Sequence, residues 1–332
     1  MRANTAEILR RRTMDTTLPD LIDLFAATKQ TEGRSPKTLN LYREFLCKYS
    51  SFLGGKPTLK EMTLDSARSF VASLQSRTTR YEGHPINHVR EGGLSPYTVH
   101  CYVRILKTFS AWLNDEGFTK VNVFSKLKRP KLPTPVIQVL SEEEIASVFE
   151  RINPNCPLGA RLYLIVLLLL DTGIRANELC TLTLDNTFVT EGYIKVSGKG
   201  NKERIVPFGA TTKKALMRYL TTFRPESDCP YLILTSNGPL TYSALNHTIK
   251  RLGMSVGIPR LHPHLFRHTF AVSYLMNGGD VMTLKLILGH TTLEVTQMYL
   301  HLAEAHVQVQ HSRFSPVDRL RITTGRRGKK VV

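Results

Sequence analysis

The stretch LILGHTTLEVTQMYLHLAEAH, residues 286–306, decides how the rest of the chain is interpreted. Asp280 can cap a helix that ends at Gly289, and the following T-x-x-E has the spacing of a capping box that opens a second helix. The sequence therefore predicts a tight turn that presents His290 between two helices. Tyr299 lies beside the apolar stripe of the second helix, where its phenol can reach a neighbouring cleft. Taken alone, each residue is better interpreted structurally, as a histidine of a capping turn and a tyrosine at the boundary of the core; the rest of the constellation favours a functional role.

The charge balance indicates a polyanionic partner. The 332 residues contain 45 Lys and Arg against 27 Asp and Glu, which gives a net charge of +18. Nucleic acid fits this excess better than an anionic membrane surface, which would more naturally be met by one basic amphipathic helix. The longest apolar run, LYLIVLLLL at 162–170, is too short to cross a bilayer and predicts a buried helix.

The cysteines and the first residues indicate a reducing compartment. The five cysteines are odd in number, widely spaced and without a C-x-x-C pair, so neither a disulfide framework nor a zinc ribbon is predicted. The opening segment MRANTAEILRRRTMDT lacks the apolar stretch of a secretory signal. We therefore expect a cytoplasmic protein.

The amino-terminal part of the chain reads as helical. The apolar residues of 18–117 recur with a helical period, with a third helix over 64–75 and a fourth over 96–116. Four such helices predict a small bundle. We expect this domain to span 18–123, after a flexible basic segment at 1–17.

Two polar segments flank the fourth helix. Residues 76–95 are rich in Arg, His and Gly without periodicity, and they fit a solvated loop slightly better than an arm that touches phosphates. Residues 124–140 combine lysines with prolines and predict an extended linker. Arg129 and Lys131 in this linker are candidates for contact with a DNA backbone.

The remainder, 141–315, predicts an α+β domain followed by a basic tail at 316–332. Three short strands are expected at 187–189, 193–197 and 204–208, with GKGNK as the hairpin turn between the last two. Lys202 and Arg204, beside this turn, are further candidate DNA contacts. Helices are predicted over 212–223, 242–256, 263–276, 281–288 and 292–304. The whole chain is thus predicted to be mainly α with a small β-sheet.

Six side chains supply the groups that a phosphodiester transesterification needs. Two guanidiniums can hold the non-bridging oxygens of one phosphate, and no metal is then required. A phenol is a poor nucleophile at neutral pH unless a base and a positive field assist it, and a leaving 5′ oxygen needs a proton donor. The candidate groups are Arg175, Lys199, His264, Arg267, His290 and Tyr299.

These segments resemble the catalytic domain of the tyrosine recombinases, the phage-integrase and Xer-type family. The family pattern contains T-G-x-R-x-x-E-L, a strand turn with G-K-G, H-x-L-R-H and L-G-H, followed nine residues later by the nucleophile. The chain has DTGIRANEL, SGKGNKER, HPHLFRH and LGH in that order. His290 and Tyr299 have the nine-residue spacing, and Arg267 precedes His290 by 23 residues, as in the family.

The resemblance implies a role for each group. Tyr299 would attack the scissile phosphate and form a 3′-phosphotyrosyl link. Arg175 and Arg267 would grip the phosphate, and His290 would donate to one of its oxygens. Lys199 would be the general acid for the leaving 5′ oxygen, and His264 the proton acceptor near the tyrosine. Glu178 is three residues after Arg175 and would orient the site by hydrogen bonding.

The resemblance also implies the assembly. A helical core-binding (SAM-like) domain and the catalytic domain would form a C-shaped clamp on duplex DNA. Four protomers, or a related heterotetramer, would exchange strands at specific sites through a Holliday junction. Such enzymes serve DNA integration and excision or chromosome-dimer resolution, which places the chain in a prokaryotic or phage context, associated with the nucleoid.

Other functions fit the sequence less well. A type IB topoisomerase uses similar residues as a monomer, and a DNA-binding protein without catalysis needs only the basic residues. His264 and His268 are four apart, but no third zinc ligand is evident. There is no P-loop motif, so no cofactor is expected.

Overall fold

The structure is a computed structural model that describes residues 16–80, 89–133, 137–198, 203–289, 311 and 315. The chain divides into two compact units, Met1–Pro135 (unit 1) and Val136–Val332 (unit 2). The division between them falls inside the predicted linker. The predicted helix over 292–304 and the tail at 316–332 lie outside the described residues, as does nearly all of the amino-terminal segment.

Unit 1 contains four helices and one short antiparallel strand pair among its described residues. Its elements are α1 Leu18–Thr31, α2 Pro36–Leu53, α3 Leu64–Gln75, β1 Thr79–Arg80, β2 Arg90–Glu91 and α4 Pro96–Asp115. Ser35 and Ser95 cap α2 and α4 in the same way: each precedes a proline, and each side chain accepts a hydrogen bond from a threonine N–H three residues on. The S-P-x-T sequence therefore sets the start of two helices.

Aromatic side chains fill the core of this bundle. The ring of Phe25 lies 5.3 Å, centroid to centroid, from each of Phe109 and Trp112. Tyr49 is also buried, and its hydroxyl lies 2.8 Å from the Ser66 hydroxyl, so its polar end is hydrogen-bonded. The predicted four-helix bundle is thus held by rings from α1, α2 and α4.

Described residues of the two predicted polar segments form contacts that their composition did not predict. Within the predicted loop 76–95, β1 and β2 pair antiparallel, and Thr79 faces Glu91. The predicted linker starts inside the core, because Phe124 and Leu127 are buried there. Lys107 donates to the carbonyls of Ser125 and Leu127, at 2.6 and 2.9 Å.

Unit 2 is built around a helix that is apolar on nearly every side. Its elements are α5 Glu142–Glu150, α6 Pro157–Thr172, α7 Ala176–Cys180, β3 Thr187–Phe188, β4 Tyr193–Ser197, β5 Glu203–Pro207, α8 Ala210–Arg218, a π-helical turn Tyr219–Phe223, β6 Leu234–Thr235, β7 Gly238–Pro239, α9 Tyr242–Ser255, α10 Pro263–Met276 and α11 Val281–Leu288. The predicted buried run 162–170 forms the middle of α6, which packs against both α8 and α10. No helix in the described ranges is long and apolar enough to cross a membrane.

The small sheet of unit 2 has the predicted order and hairpin. Strands β3, β4 and β5 are antiparallel neighbours, and Ile194 of β4 faces Val206 of β5. Both of these side chains are buried in the core of the unit. The turn that joins β4 to β5, including Lys199 and Lys202, lies outside the described residues.

Several bounds differ from the sequence predictions. Strand β5 begins at Glu203 rather than at Arg204. Helix α8 begins at Ala210, and the predicted helix ends in a π turn closed by a 2.7 Å hydrogen bond from the Arg224 N–H to the Tyr219 carbonyl. The β6–β7 pair is additional, since two-residue strands are too short to show a period.

One glycine allows α6, α10 and α11 to meet. Gly173 ends α6 in the left-handed conformation, with φ of 61°. A Cβ atom there would lie 2.3 Å from Cδ1 of Phe270 and 2.9 Å from Cδ2 of Leu288. The absence of a side chain at Gly173 therefore sets how closely the end of α6 approaches the two helices.

We expect Gly173→Ala to lower the free energy of unfolding by about 2–5 kcal/mol, because left-handed strain costs about 1–2 kcal/mol and overpacking about 1–3 kcal/mol. Gly257→Ala is the matched control, since Gly257 has φ of 74° with nothing within 4 Å of the added Cβ. Urea unfolding followed by circular dichroism measures both. Equal losses in the two variants would show that the close approach contributes nothing.

Candidate active site

Three arginines meet at the carboxyl end of α11. The helix ends at Gly289, whose φ of 62° is left-handed, and the carbonyls of residues 287–289 point out of its last turn. These carbonyls accept hydrogen bonds from Arg204 Nε at 2.6 Å, Arg267 Nη2 at 2.7 Å and Arg175 Nη2 at 3.1 Å, in chain order. Carbonyls at a helix end have no partner within the helix and carry partial negative charge, so three cations stabilise this end.

Each arginine comes from a different element of unit 2. Arg175 is the N-cap residue of α7, Arg204 lies on β5 and Arg267 lies on α10. Arg267 is only 4% exposed, and its Nη1 also donates to the Gly173 carbonyl at 2.6 Å. The end of α6 and the end of α11 are therefore joined through one buried guanidinium.

A single buried carboxylate links two of these arginines. Glu178 Oε1 accepts from Arg175 Nη1 and from Arg204 Nη1, both at 2.8 Å. Its Oε2 accepts from the Arg175 backbone N–H and from Arg204 Nη2, again at 2.8 Å. Three guanidiniums and one carboxylate leave two positive charges at the site, which suits the binding of an anion.

The arginines keep Glu178 ionised. Burial raises the pKa of this carboxyl, but hydrogen bonds from Arg204 and from the Arg175 backbone, with the charge of Arg204, outweigh burial and lower the pKa to about 2. Glu178 is therefore a permanent anion at neutral pH. It can orient its neighbours, as the sequence predicted, but it holds no proton to give.

His264 lies one helical turn before Arg267 on α10. Desolvation by the surrounding atoms lowers its pKa, and the positive charge of Arg267, His262 and Arg175 lowers it further. The imidazole is consequently neutral at pH 7 and able to accept a proton. His262 is fixed beside it, with Nδ1 2.7 Å from the Arg260 carbonyl.

The described part of the site includes Arg175, Glu178, His264 and Arg267. The interactions above bring these four predicted residues together. Lys199, His290 and Tyr299 lie outside the described residues, so their predicted roles remain predictions.

The candidate DNA contacts differ in their surroundings. Arg129 and Lys131 in unit 1 are exposed, and Lys202 lies outside the described residues. Arg204 has a side chain only 12% exposed, and three of its five N–H groups are bonded to Glu178 and to the Ile287 carbonyl. The alternation along β5 was the available signal, because Arg204 and the buried Val206 share one face while Ile205 is 61% exposed.

Comparison with known proteins identifies the family. The model described as phage integrase family matches residues 138–306. Tyrosine recombinase XerC of Oceanobacillus iheyensis is 33% identical over 309 residues, covering 89% of this chain and 95% of that protein. The chain belongs to the phage integrase family of tyrosine recombinases. The predicted family is confirmed, and with it a recombinase that breaks and rejoins DNA at specific sites.

Solved structures confirm the fold of the recombinase. The Tn1549 transposon integrase in complex with transposon right end DNA has a TM-score of 0.69 at 20% identity, and the match covers 90% of this chain and 99% of that one. XerH site-specific recombinase bound to difH substrate has a TM-score of 0.64 at 21% identity, with coverage of 86% and 82%. The mainly α fold with small antiparallel sheets is therefore the fold of a tyrosine recombinase.

We expect Glu178→Gln to lower the free energy of unfolding of the recombinase, by an amount that depends on pH. The folded-state pKa of about 2 lies below the ordinary value of 4.5, so the stability from this carboxylate is complete above pH 4.5 and is lost as the pH falls towards 2. The full contribution of this carboxylate to the free energy of unfolding is about 3 kcal/mol. The difference in unfolding free energy between wild type and Glu178→Gln should therefore be smaller at pH 3 than at pH 7, by roughly 2 kcal/mol.

Urea unfolding at the two pH values measures this gap. Glu203→Gln is the control, because Glu203 is an exposed carboxylate of β5 paired at the surface with Lys195. That control should show no comparable pH dependence. If the difference in unfolding free energy between wild type and Glu178→Gln were the same at both pH values, the depressed pKa of Glu178 would be contradicted.

Proposed function

We propose that Tyr299 is the nucleophile of this recombinase and that Arg175 and Arg267 bind the scissile phosphate beside it. The observation that carries the proposal is the joining of both arginines to the carbonyls of residues 288–289. These carbonyls immediately precede His290, which stands nine residues before Tyr299 in the sequence. Arg175 has a side chain 35% exposed, so part of this positive centre is open to an anion.

The charges of the described residues support different residues as the proton acceptor and the proton donor. The neutral imidazole of His264 suits acceptance of the phenol proton, and Glu178 is ionised and cannot act as the acid. We therefore assign the protonation of the leaving 5′ oxygen to Lys199, because an ammonium can release a proton whereas the guanidiniums of Arg175 and Arg267 remain charged. His290 would donate a hydrogen bond to a phosphate oxygen.

The covalent intermediate needs no external energy source. Attack by the phenol forms a 3′-phosphotyrosyl ester and releases a 5′ hydroxyl. A 5′ hydroxyl from the partner duplex then attacks this ester and restores the phenol. One phosphodiester is exchanged for another, so neither ATP nor a redox cofactor enters the balance.

The wider assembly follows from the same chemistry. We propose that domains over 18–123 and 141–315 clamp the duplex, with Arg129, Lys131 and Lys202 on phosphates. Two exchanged duplexes require two pairs of tyrosines, which means four protomers on a Holliday junction. We place this assembly in the bacterial cytoplasm, on the nucleoid.

We favour chromosome-dimer resolution over the movement of a mobile element. The XerC relative is 33% identical across most of the chain, whereas the transposon integrase is 20% identical at similar coverage. Sequencing DNA fragments trapped as phosphotyrosyl adducts decides between the roles. A single chromosomal site supports dimer resolution, and sites at the ends of an element support its movement.

Tyr299→Phe should abolish covalent adducts on a nicked suicide substrate while leaving the dissociation constant for DNA nearly unchanged, because only the attacking oxygen is removed. Tyr274→Phe, which removes a phenol from α10, is the control and should cleave like wild type. Gel separation of the covalent complex and a binding titration measure the two properties. Adducts formed by Tyr299→Phe would show that another residue is the nucleophile.

The assignment of the acid is tested with a substrate whose leaving 5′ oxygen is replaced by sulfur. A thiolate departs without protonation, so the substitution should restore most of the cleavage rate that Lys199→Ala loses. It should restore little of the rate lost in Arg175→Ala, because that residue holds charge rather than a transferable proton. Single-turnover cleavage of the two substrates gives the comparison, and equal rescue of both variants contradicts these roles.

A further inference from the structure

Arg204 donates three side-chain hydrogen bonds to acceptors in the described part of unit 2. Its Nη1 and Nη2 donate in parallel to the two oxygens of Glu178, each at 2.8 Å, and its Nε donates to the Ile287 carbonyl at 2.6 Å. This fork on a carboxylate uses one edge of the guanidinium, and the helix end uses another. Such a geometry fixes both position and orientation.

The surroundings of Arg204 leave little access for a phosphate. Its side chain is 12% exposed, against 35% for Arg175. Gly289 also packs on it, since a Cβ at Gly289 would lie 3.0 Å from each of Cδ, Nε and Nη1 of Arg204. The negative charge of Glu178 further offsets its attraction for a polyanion.

The contacts of Glu178 show how Arg204 reaches the phosphate-binding group. Each carboxylate oxygen accepts once from Arg204 and once from Arg175. Loss of Arg204 would leave a buried carboxylate with Arg175 alone, so the Arg175 guanidinium would be drawn towards it. The Ile287 carbonyl would lose its bond as well, at the turn from which the chain continues to His290.

We propose that Arg204 is a positioning residue of the recombinase, which sets Arg175 and the last turn of α11 through Glu178, and that it is not a contact to DNA. This inference rests on the proposed function, because it requires Arg175 to bind the scissile phosphate. It replaces the sequence-based prediction that Arg204 binds the DNA backbone.

The test compares Arg204→Lys with Arg204→Gln. Lysine keeps the charge that a phosphate contact needs but cannot form the fork on Glu178 and the bond to Ile287 together. Both variants should therefore cleave a suicide substrate about 10–100-fold more slowly than wild type at saturating DNA, as expected when a supporting contact is lost. The dissociation constant and the slope of its logarithm against the logarithm of salt concentration should stay at wild-type values.

Arg260→Gln is the matched control for lost stability. Arg260 also forks onto a glutamate at the third position of a helix, Glu144, with two contacts of 2.7 Å, and it also donates to a backbone carbonyl, that of Val139. Its fork does not contact Arg175 or residues 287–289. Arg260→Gln should lower the free energy of unfolding and leave the cleavage rate at saturating DNA close to wild type.

A double-mutant cycle shows whether Arg204 acts through Glu178. The cleavage losses of Arg204→Gln and Glu178→Gln should be strongly non-additive, because either change breaks the same bridge. Should Arg204→Gln fail to fold, Arg204→Lys with Glu178→Gln forms the same cycle.

The outcomes separate the inference from the function on which it rests. If wild type forms no covalent adduct, the proposed function is wrong. If wild type forms adducts and Arg204→Lys cleaves at the wild-type rate, only the positioning role is wrong. The slope of the logarithm of the dissociation constant against the logarithm of salt concentration is also informative. If this slope were reduced by about 0.9 in Arg204→Gln and restored in Arg204→Lys, Arg204 would be a contact to the DNA backbone, and the inference would be wrong. Additive losses in the cycle would also overturn the inference.

Discussion

The site depends on one buried carboxylate held between two guanidiniums. Glu178 is 5% exposed, and its four hydrogen bonds come from Arg175 and Arg204. Without it, the guanidiniums that converge on residues 287–289 would repel one another in a poorly solvated place. With it, they can approach closely and still retain a net positive charge. Removal of one member of a buried ion pair leaves the other charge uncompensated, at a cost of about 3–5 kcal/mol. The loss of Glu178 or of either bonded arginine should therefore destabilise the whole cluster.

This arrangement couples the chemistry of unit 2 to its folding. The three arginines and the carbonyls they bind are far apart in the sequence, at 175, 204, 267 and 287–289, so no local segment contains the site. It forms only when α7, β5, α10 and the end of α11 have packed together. Gly173 is part of the same construction, since its small size lets α6 approach α10 and α11 while its carbonyl binds Arg267. In the proposed function, residues that hold the site together would thus control where Arg175 and Arg267 bind the phosphate.

The sequence predicted best where a local signal stops or starts an element. Helices α3, α10 and α11 have the predicted bounds because a capping threonine, a first-turn proline and an Asp cap with a terminal glycine mark them. The Tyr219–Phe223 π turn has no such marker, since its bond from the Arg224 N–H is set by tertiary packing. Among the described residues, the spaced motifs predicted Arg175, Glu178, His264 and Arg267, and the structure brings these four together. The position of Arg204 was found but not its surroundings, because a basic residue beside a glycine turn looks exposed until the pairing of β5 is known.

The contacts of the three arginines favour a guanidinium over an ammonium at each position. Each binds at least one carbonyl at the end of α11, and each binds a second acceptor in another direction: Glu178 for Arg175 and Arg204, the Gly173 carbonyl for Arg267. A lysine ammonium is a compact point charge and cannot bridge two acceptors in a fixed plane. What distinguishes the three is exposure, from 35% for the Arg175 side chain to 4% for Arg267. In the proposed function, the buried Arg204 and Arg267 hold the geometry of the turn, and the more exposed Arg175 binds the phosphate.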